Sequence, residues 1–216
     1  MKAVIKVSFV AIALLVGVNA NAQKKMSGFG VKAGANYSTM VGDVEDVDGR
    51  VGYQFGVTLD VSISGDVYLL TGLEYTVKGY KADFEEDGVS LENTCSAQYL
   101  QMPFQLGYKL GVAKDVNMVF SFGPYFAYGL SGKTKVKGQY WNDGYYESIN
   151  EKTNTFSTGM LKEFDFGFGL GVGVEYQKCG VKLGYDFGTV NAYEPIGDEN
   201  NKLRNRNAYL TLGYKF

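Results

Sequence analysis

Apolar residues alternate with small or polar residues along most of the chain, with a period of two residues. The segment 165–188 is typical: odd positions from Asp165 to Glu175 are Asp, Gly or Glu, whereas even positions from Phe166 to Val174 are apolar. A period of two is that of a β-strand, whose successive side chains point to opposite faces. A glycine-rich phosphate loop would need a helix directly after it, and no helical pattern follows. The alternation therefore predicts strands.

Eight such runs follow one another, joined alternately by short and long connections. They cover about residues 29–39, 53–63, 68–80, 98–110, 117–130, 164–176, 181–190 and 206–216. Ser64-Gly65-Asp66 is a tight turn, whereas the acidic segment 82–96 and the segment 132–162 are expected to be long loops. An even number of strands with both termini at the short turns is the layout of an outer-membrane barrel. The predicted fold is all-β: an eight-stranded antiparallel up-and-down transmembrane β-barrel with short periplasmic turns and long extracellular loops.

The first 22 residues have the features of a secretory signal peptide. Two lysines precede an apolar run from Val7 to Val18, and Ala20-Asn21-Ala22 is a small-x-small cleavage sequence. The run is shorter than the roughly 20 residues that a spanning helix needs. We expect cleavage after residue 22, which leaves residues 23–216 as a single barrel domain of the bacterial outer membrane.

The two faces of the strands are expected to meet different surroundings. In a membrane barrel the apolar faces contact lipid, and the lumen of an eight-stranded barrel is only wide enough for side chains to fill. A soluble lipocalin-like barrel has the opposite arrangement, with a charged exterior, but the face opposite the apolar residues here is mostly small or uncharged. Aromatic residues near the run ends predict two interfacial girdles. These are Tyr37, Tyr53, Tyr75 and Tyr128 towards the long loops, and Tyr108, Tyr176, Tyr214 and Phe216 towards the short turns.

Five lysines and five carboxylates fall on the lumen face in this register. They are Lys32, Lys78, Lys109, Lys182 and Lys215, with Asp60, Glu74, Asp165, Glu175 and Asp186. An unpaired buried ion costs several kcal/mol, so we expect these charges to form an ion-pair network that plugs the lumen. The alternative is a narrow ion path lined by the same groups.

Composition argues against several classes of function. Lys and Arg number 21 against 23 Asp and Glu, and there is no His. A nucleic-acid partner would need a basic surface, so none is expected. Without imidazole there is no Ser-His-Asp triad and no histidine base; we expect no enzyme, no cofactor and no structural metal site. Loose binding of divalent ions by the acidic segments 43–48 and 83–87 is the alternative to simple solvation.

The two cysteines are expected to remain unbridged. Cys95 falls in a predicted long loop and Cys179 in a predicted short turn. A disulfide requires Cα atoms within about 7 Å, and an apolar band of about 25 Å separates these two ends of a barrel.

The longest connection contains a strong hairpin signal. Asn142-Asp143-Gly144 stands between two aromatic-rich arms, which predicts a ribbon that extends the fifth and sixth runs beyond the membrane. Large aromatic residues near its tip mark either a surface that contacts a partner or cross-strand packing within the ribbon. These residues are Tyr140, Trp141, Tyr145 and Tyr146.

Several segments together resemble a known family. They are "YLQMPFQLGYKL" (99–110), "FSFGPYFAYGL" (120–130), "FDFGFGLGVGVEY" (164–176), "LGYDFG" (183–188) and the terminal "AYLTLGYKF". In this order they resemble the small outer-membrane β-barrel domain family that includes PorT-like proteins. The resemblance implies the fold and an outer-membrane location. It supplies no catalytic residues. The terminal Phe216 resembles the signal read by the barrel-assembly machinery.

The function predicted is that of a plugged structural or interaction barrel acting through its extracellular loops. One alternative is a narrow passive channel. The other, implied by the resemblance, is an accessory role in protein secretion. The expected partners are outer-membrane lipid, the barrel-assembly machinery during insertion, and an extracellular or secretion-system protein.

Overall fold

A computed structural model describes residues 26–42, 47–86, 89–142, 145–156, 161–192 and 202–216. The expected signal peptide lies outside these residues. The strands are β1 (Met26–Gly42), β2 (Val47–Ser64), β3 (Val67–Glu86), β4 (Val89–Ala113), β5 (Val116–Asn142), β6 (Tyr145–Asn154), β7 (Phe164–Tyr176), β8 (Cys179–Gly188) and β9 (Leu203–Lys215). Over these ranges the chain has no helix of sufficient length and apolarity to span a membrane.

Eight of the strands close into a ring. Each pairs antiparallel with its neighbours, β5 pairs directly with β7, and β1 pairs with β9 to close the circle. In the described part of the chain, β6 pairs only with β5. The predicted antiparallel up-and-down barrel of eight strands is therefore confirmed, and a ninth strand is added outside the ring.

The short turns lie at one end of the barrel, as predicted. The turns β2–β3, β4–β5 and β7–β8 each leave two residues between the strands. Gly65, Asp115 and Gln177 in these turns have φ angles of 54°, 62° and 53°. Such left-handed residues match the twist of two-residue hairpins to that of their strands. We call this the short-turn end, and the opposite end the long-loop end.

The long-loop end differs from the prediction, because two of the expected loops are largely strand. The segment 82–96 is a hairpin in which Glu86 pairs with Val89, and β5 continues to Asn142 alongside both β4 and β6. The outer parts of β3, β4, β5 and β6 thus form a four-stranded outer sheet, consisting of residues 79–86, 89–98, 131–142 and 145–154. The polar side chains of these segments indicated loops, but a strand needs only backbone partners on its flanks. The second arm of the predicted ribbon is β6, not an extension of β7.

The faces of the barrel strands are arranged as expected for a membrane barrel. Large apolar side chains on the outside are well exposed, for example Leu212 at 65% and Phe122 at 55%. Aromatic residues stack on this surface at both ends: Tyr53 on Tyr75, with centroids 6.3 Å apart, and Phe29 on Phe216, 5.8 Å apart. The lumen face carries the buried polar residues.

Glycines on the lumen face allow neighbouring strands to approach more closely than a side chain permits. A Cβ added at these positions would lie 2.0–2.2 Å from a carbonyl oxygen of the adjacent strand. The positions with this contact include Gly34, Gly56, Gly123 and Gly167. Close approach of this kind lets the strands of a narrow barrel coil tightly. At these positions the close approach of the neighbouring strand therefore leaves no room for a side chain.

Pro103 faces the lumen and coincides with a gap in the β3–β4 ladder. The pairing runs from Thr71 with Phe104 directly to Glu74 with Gln101. The hydroxyl of Thr71 donates to the Pro103 carbonyl oxygen at 2.7 Å. A residue without an amide hydrogen is tolerated in a strand where a ladder bond is missing.

Candidate functional site: the lumen and the outer sheet

The charged residues predicted for the lumen face all lie inside the barrel, at different heights. Nearest the short turns, two lysines and two carboxylates form a closed set. Lys109 Nζ lies 2.6 Å from Asp60 and 3.2 Å from Glu175. Lys215 lies 2.5 Å from Asp60 and also contacts Glu175. Each lysine thus contacts both carboxylates, so the charges at this level balance.

Two further ion pairs lie higher in the lumen. Lys32 contacts Glu74 at 2.5 Å. Above it, Lys78 lies 3.4 Å from Asp165, and both side chains are only 1% exposed. The Tyr125 hydroxyl also donates to Asp165 at 3.2 Å, and the Lys78 ammonium lies 4.6 Å from the centre of the Tyr125 ring. This upper pair is therefore enclosed on several sides by protein.

The last two of the ten predicted lumen residues, Lys182 and Asp186, form hydrogen bonds with side-chain amides instead of ion pairs. Lys182 donates to the Gln105 side-chain oxygen at 2.7 Å, and Asp186 accepts from the Gln101 amide at 3.0 Å. Sequence reasoning missed these glutamines because it considered only charged residues. Both glutamines lie an even number of residues before Lys109 on β4, so the same alternation that placed Lys109 in the lumen also predicts them there.

An apolar cluster, which the sequence did not predict, fills the lumen at the long-loop end. We call it the outer apolar cluster: Met40, Cys95, Ala97, Tyr99, Tyr125, Ala127, Leu161, Ala192 and Leu203. The Phe156 ring meets the Tyr99 ring edge-on, with centroids 5.7 Å apart. Backbone bonds from Lys162 to Ala192 at 2.8 Å and from Ala192 to Leu203 at 2.7 Å tie the connecting segments to β9.

A cavity of ≈ 110 Å³ lies in the other half of the lumen. Its lining includes Lys32, Glu74 and Lys182, together with Gln177 and Lys178 of the β7–β8 turn. The cavity therefore reaches the short-turn end of the barrel, whereas the outer apolar cluster occupies the long-loop end.

The two cysteines are free thiols in different surroundings. Cys95 lies in β4 instead of the predicted loop, buried in the outer apolar cluster, whereas Cys179 is exposed at the short-turn end. Along β4, Cys95 lies five residues closer to the long-loop end than Leu100, which pairs with the girdle residue Tyr128. Cys95 is therefore on the long-loop side of the girdle. Burial raises the pKa of its thiol, which disfavours the reactive thiolate.

The other predicted sites are placed only in part. The predicted contact aromatics lie at the tip of the β5–β6 hairpin, where Trp141 pairs with Tyr146 and Tyr140 with Glu147; only the backbone is described there. The main-chain amide of Phe216 donates to the main-chain carbonyl oxygen of Phe29 at 2.9 Å.

In the described ranges, no group of three or more Cys, Asp or Glu side chains is arranged to hold a metal ion. Most of the acidic segments 43–48 and 83–87 lies outside the residues whose side chains are described.

Comparison with solved structures returns small outer-membrane barrels at low identity. The chain is similar to Ail, the attachment invasion locus protein of Yersinia pestis, at 13% identity over 89% of this chain and 99% of that chain, with a TM-score of 0.43. It is also similar to Neisserial surface protein A, at 15% identity over 88% and 99% with a TM-score of 0.39. A major outer membrane protein from Thermus thermophilus matches at 13% over 87% and 99%, with a TM-score of 0.42.

The comparison with curated proteins gave no match. The model of one protein family, described as outer membrane protein beta-barrel domain, matches residues 19–193, which is more than half of the chain. The match agrees with the closed ring of antiparallel strands, the apolar exterior and the polar lumen described above, and it implies the bacterial outer membrane as the location. The chain belongs to the outer membrane protein beta-barrel domain family.

Proposed function

We propose that this protein is a closed barrel that anchors the outer sheet at the cell surface, where the sheet contacts an extracellular or secretion-system protein. The observation that carries the proposal is the length of the strands: β5 has 27 residues and β4 has 25, whereas β7 has 13. About 10 residues of strand suffice to cross the apolar band. The additional residues of β4 and β5 therefore form structure beyond the membrane.

The lumen supports a closed barrel. Ion pairs cross it at three heights, and the outer apolar cluster fills its long-loop end. An ion entering from that end would have to lose its water among apolar side chains, which is costly. The proposal assigns the lumen a structural role and the outer sheet a role in contact.

The outer sheet supports the role in contact. The hairpin of β5 and β6 is paired without interruption from Lys133 with Asn154 to Asn142 with Tyr145, and β4 pairs along the other side of β5. Strands held in this way can present a surface at little cost in conformational entropy. Aromatic residues such as those at the tip are enriched at the centres of protein interfaces.

A passive channel is the second candidate, and the cavity is the observation in its favour. The cavity reaches the short-turn end and is lined by charged side chains. A path would also require an opening through the outer apolar cluster. A channel therefore requires the outer apolar cluster to move aside, whereas a closed barrel requires it to stay in place.

Surface crosslinking tests the proposed role in contact. Intact cells producing the wild type are treated with a membrane-impermeant crosslinker, and the barrel is purified with whatever is attached. We expect a discrete crosslinked protein that is reduced about tenfold in W141A/Y146A, because interface aromatics contribute about 2 kcal/mol or more. The matched control is N150A/E151A, which changes exposed residues on the same hairpin.

The control should retain the crosslinked product, and all three proteins should be present at the surface in equal amounts. Components of a secretion system among the products would assign the accessory role. A wild type without any product, or products that are equal in the wild type and both variants, would contradict the role in contact.

A further inference from the structure

The outward side of the outer sheet carries a series of lysines. On β5, Lys133, Lys135 and Lys137 are exposed, whereas Gly132 before them and Thr134 between the first two are buried. The Thr134 hydroxyl lies 3.0 Å from that of Thr155 within the protein. The three lysines therefore point away from the axis of the barrel.

Pairing across the sheet brings further lysines onto the same side. Lys135 lies directly opposite Lys152 of β6 and opposite Thr94 of β4. Thr94 in turn lies opposite Lys81 of β3. Side chains of directly opposed residues share one face, with about 5 Å between them. One row across four strands thus carries three lysines and no carboxylate. We call Lys81, Lys133, Lys135, Lys137 and Lys152 the outward lysine face.

Among the side chains that the structure describes, this positive charge is not neutralised by ion pairs. Glu92 lies opposite Lys137, Asp83 lies opposite Glu92, and Asp48 of β2 lies opposite Lys81. None of these described carboxylates has an oxygen within 4.0 Å of the ammonium group of any of the five lysines. Like charges placed directly opposite each other, such as Lys135 and Lys152, destabilise a sheet. An anion held between them would remove that repulsion. The chain as a whole has a formal charge of −2, so the face is a local feature.

The height of the face along the barrel indicates which anion it meets. Leu130 is an exposed apolar residue on the outside of β5, and Lys133 follows three residues later, about 10 Å along the strand. Tyr128, in the girdle, comes just before both. The outward lysine face therefore lies directly beyond the lipid-facing band, where the charged groups of the surrounding lipids are located.

We propose that the outward lysine face binds phosphate groups of the glycolipid in the outer leaflet around the barrel. Lysine ammonium groups are suited to this because they bind phosphate as mobile point charges. The bound lipid would hold the outer sheet at a fixed inclination to the membrane. The binding involves the lysines of the sheet and not the aromatic tip, so it is independent of the proposed protein contact.

A lipid-binding assay with purified protein tests this. The full mature chain is refolded in zwitterionic detergent and titrated with lipopolysaccharide, either native or enzymatically dephosphorylated, and bound lipid is counted by native mass spectrometry. We expect K135Q/K152Q to raise the apparent Kd for the native lipid about tenfold or more. Each lysine near an anionic lipid surface strengthens binding to that surface, and this variant removes two of them. The matched control is K114Q/K178Q, which removes two exposed lysines near the short turns.

The control should bind native lipopolysaccharide like the wild type, and dephosphorylated lipid should bind weakly to every protein. Heat-modifiable gel mobility establishes that each variant is folded, and K133Q/K137Q replaces K135Q/K152Q if the latter fails to refold. Equal affinity of the wild type and the face variant would overturn the proposal. An equal loss of affinity for lipopolysaccharide in the control would also overturn it. The proposal would likewise fail if the face lysines bound soluble dextran sulfate but did not bind lipopolysaccharide.

Discussion

Gly34→Ala is expected to prevent closure of the barrel. The added Cβ would lie 2.0 Å from the carbonyl oxygen of Leu210 and 2.7 Å from the Cα of Thr211. Both atoms belong to the backbone of β9, and β1 and β9 form the seam that closes the ring. Backbone cannot turn aside as a flexible side chain can, so the strands must separate or bend. We expect a loss of about 3 kcal/mol in the free energy of unfolding, at the upper end of the cost of overpacking.

The measurement is the yield of heat-modifiable, folded protein after refolding into lipid vesicles. Gly111→Ala is the matched control, because the only atom near its added Cβ is Asn117 Oδ1 at 3.7 Å. The control should refold like the wild type, whereas G34A should remain largely unfolded. Refolding of G34A at the wild-type yield would show that the seam is looser than described.

Lys78→Met is expected to destabilise the folded barrel strongly. It leaves Asp165, which is 1% exposed, without its ion partner. Removing one member of a buried pair costs about 3–5 kcal/mol, because the remaining charge stays away from water. Tyr125 still donates to the carboxylate, which offsets part of that cost. Urea titration of the refolded protein in vesicles, followed by circular dichroism, measures the loss.

Two controls separate the lost charge from the changed shape. Lys78→Met combined with Asp165→Leu should recover most of the stability, because an apolar replacement of a whole buried pair is often neutral. Lys114→Met, at an exposed turn position, should change the free energy of unfolding by less than about 0.5 kcal/mol. Equal midpoints for K78M and the wild type would show that the contact between Lys78 and Asp165 does not stabilise the folded barrel.

The faces of the barrel strands could be predicted because the period of a strand is two. Once Phe166 is placed towards lipid, Asp165 and Glu175 must point into the lumen. The same parity placed Lys32 and Asp60 inside the barrel. The two-residue turns then fixed which strands are neighbours, since antiparallel strands joined by a short hairpin must pair.

The contacts inside the lumen could not be predicted in the same way. Lys109 meets Asp60 and Glu175, from two other strands, because the stagger of the strands around the ring sets the height of each residue. Alternation within single strands does not determine that stagger. Lys182 and Asp186 accordingly met glutamines of β4 instead of charges.

The outer sheet and the outer apolar cluster were missed for different reasons. The sequence from Val89 to Ala97 has polar residues on one face and Leu91, Cys95 and Ala97 on the other, so alternation was present but masked by overall polarity. Leu161 and Ala192 lie outside the alternating runs, in the connections before the sixth run and after the seventh. Only the folded chain brings them onto the lumen, next to Leu203.

Single-channel conductance of the refolded mature protein in a planar bilayer tests the closed lumen most directly. Protein shown to be folded by heat-modifiable mobility should give no steady conductance at either polarity, because ion pairs and the outer apolar cluster fill the lumen. E74A and K78A, measured in parallel, report on the charges that would line a path. Steady conductance of the wild type that shifts in these two variants would contradict the closed barrel and establish a channel.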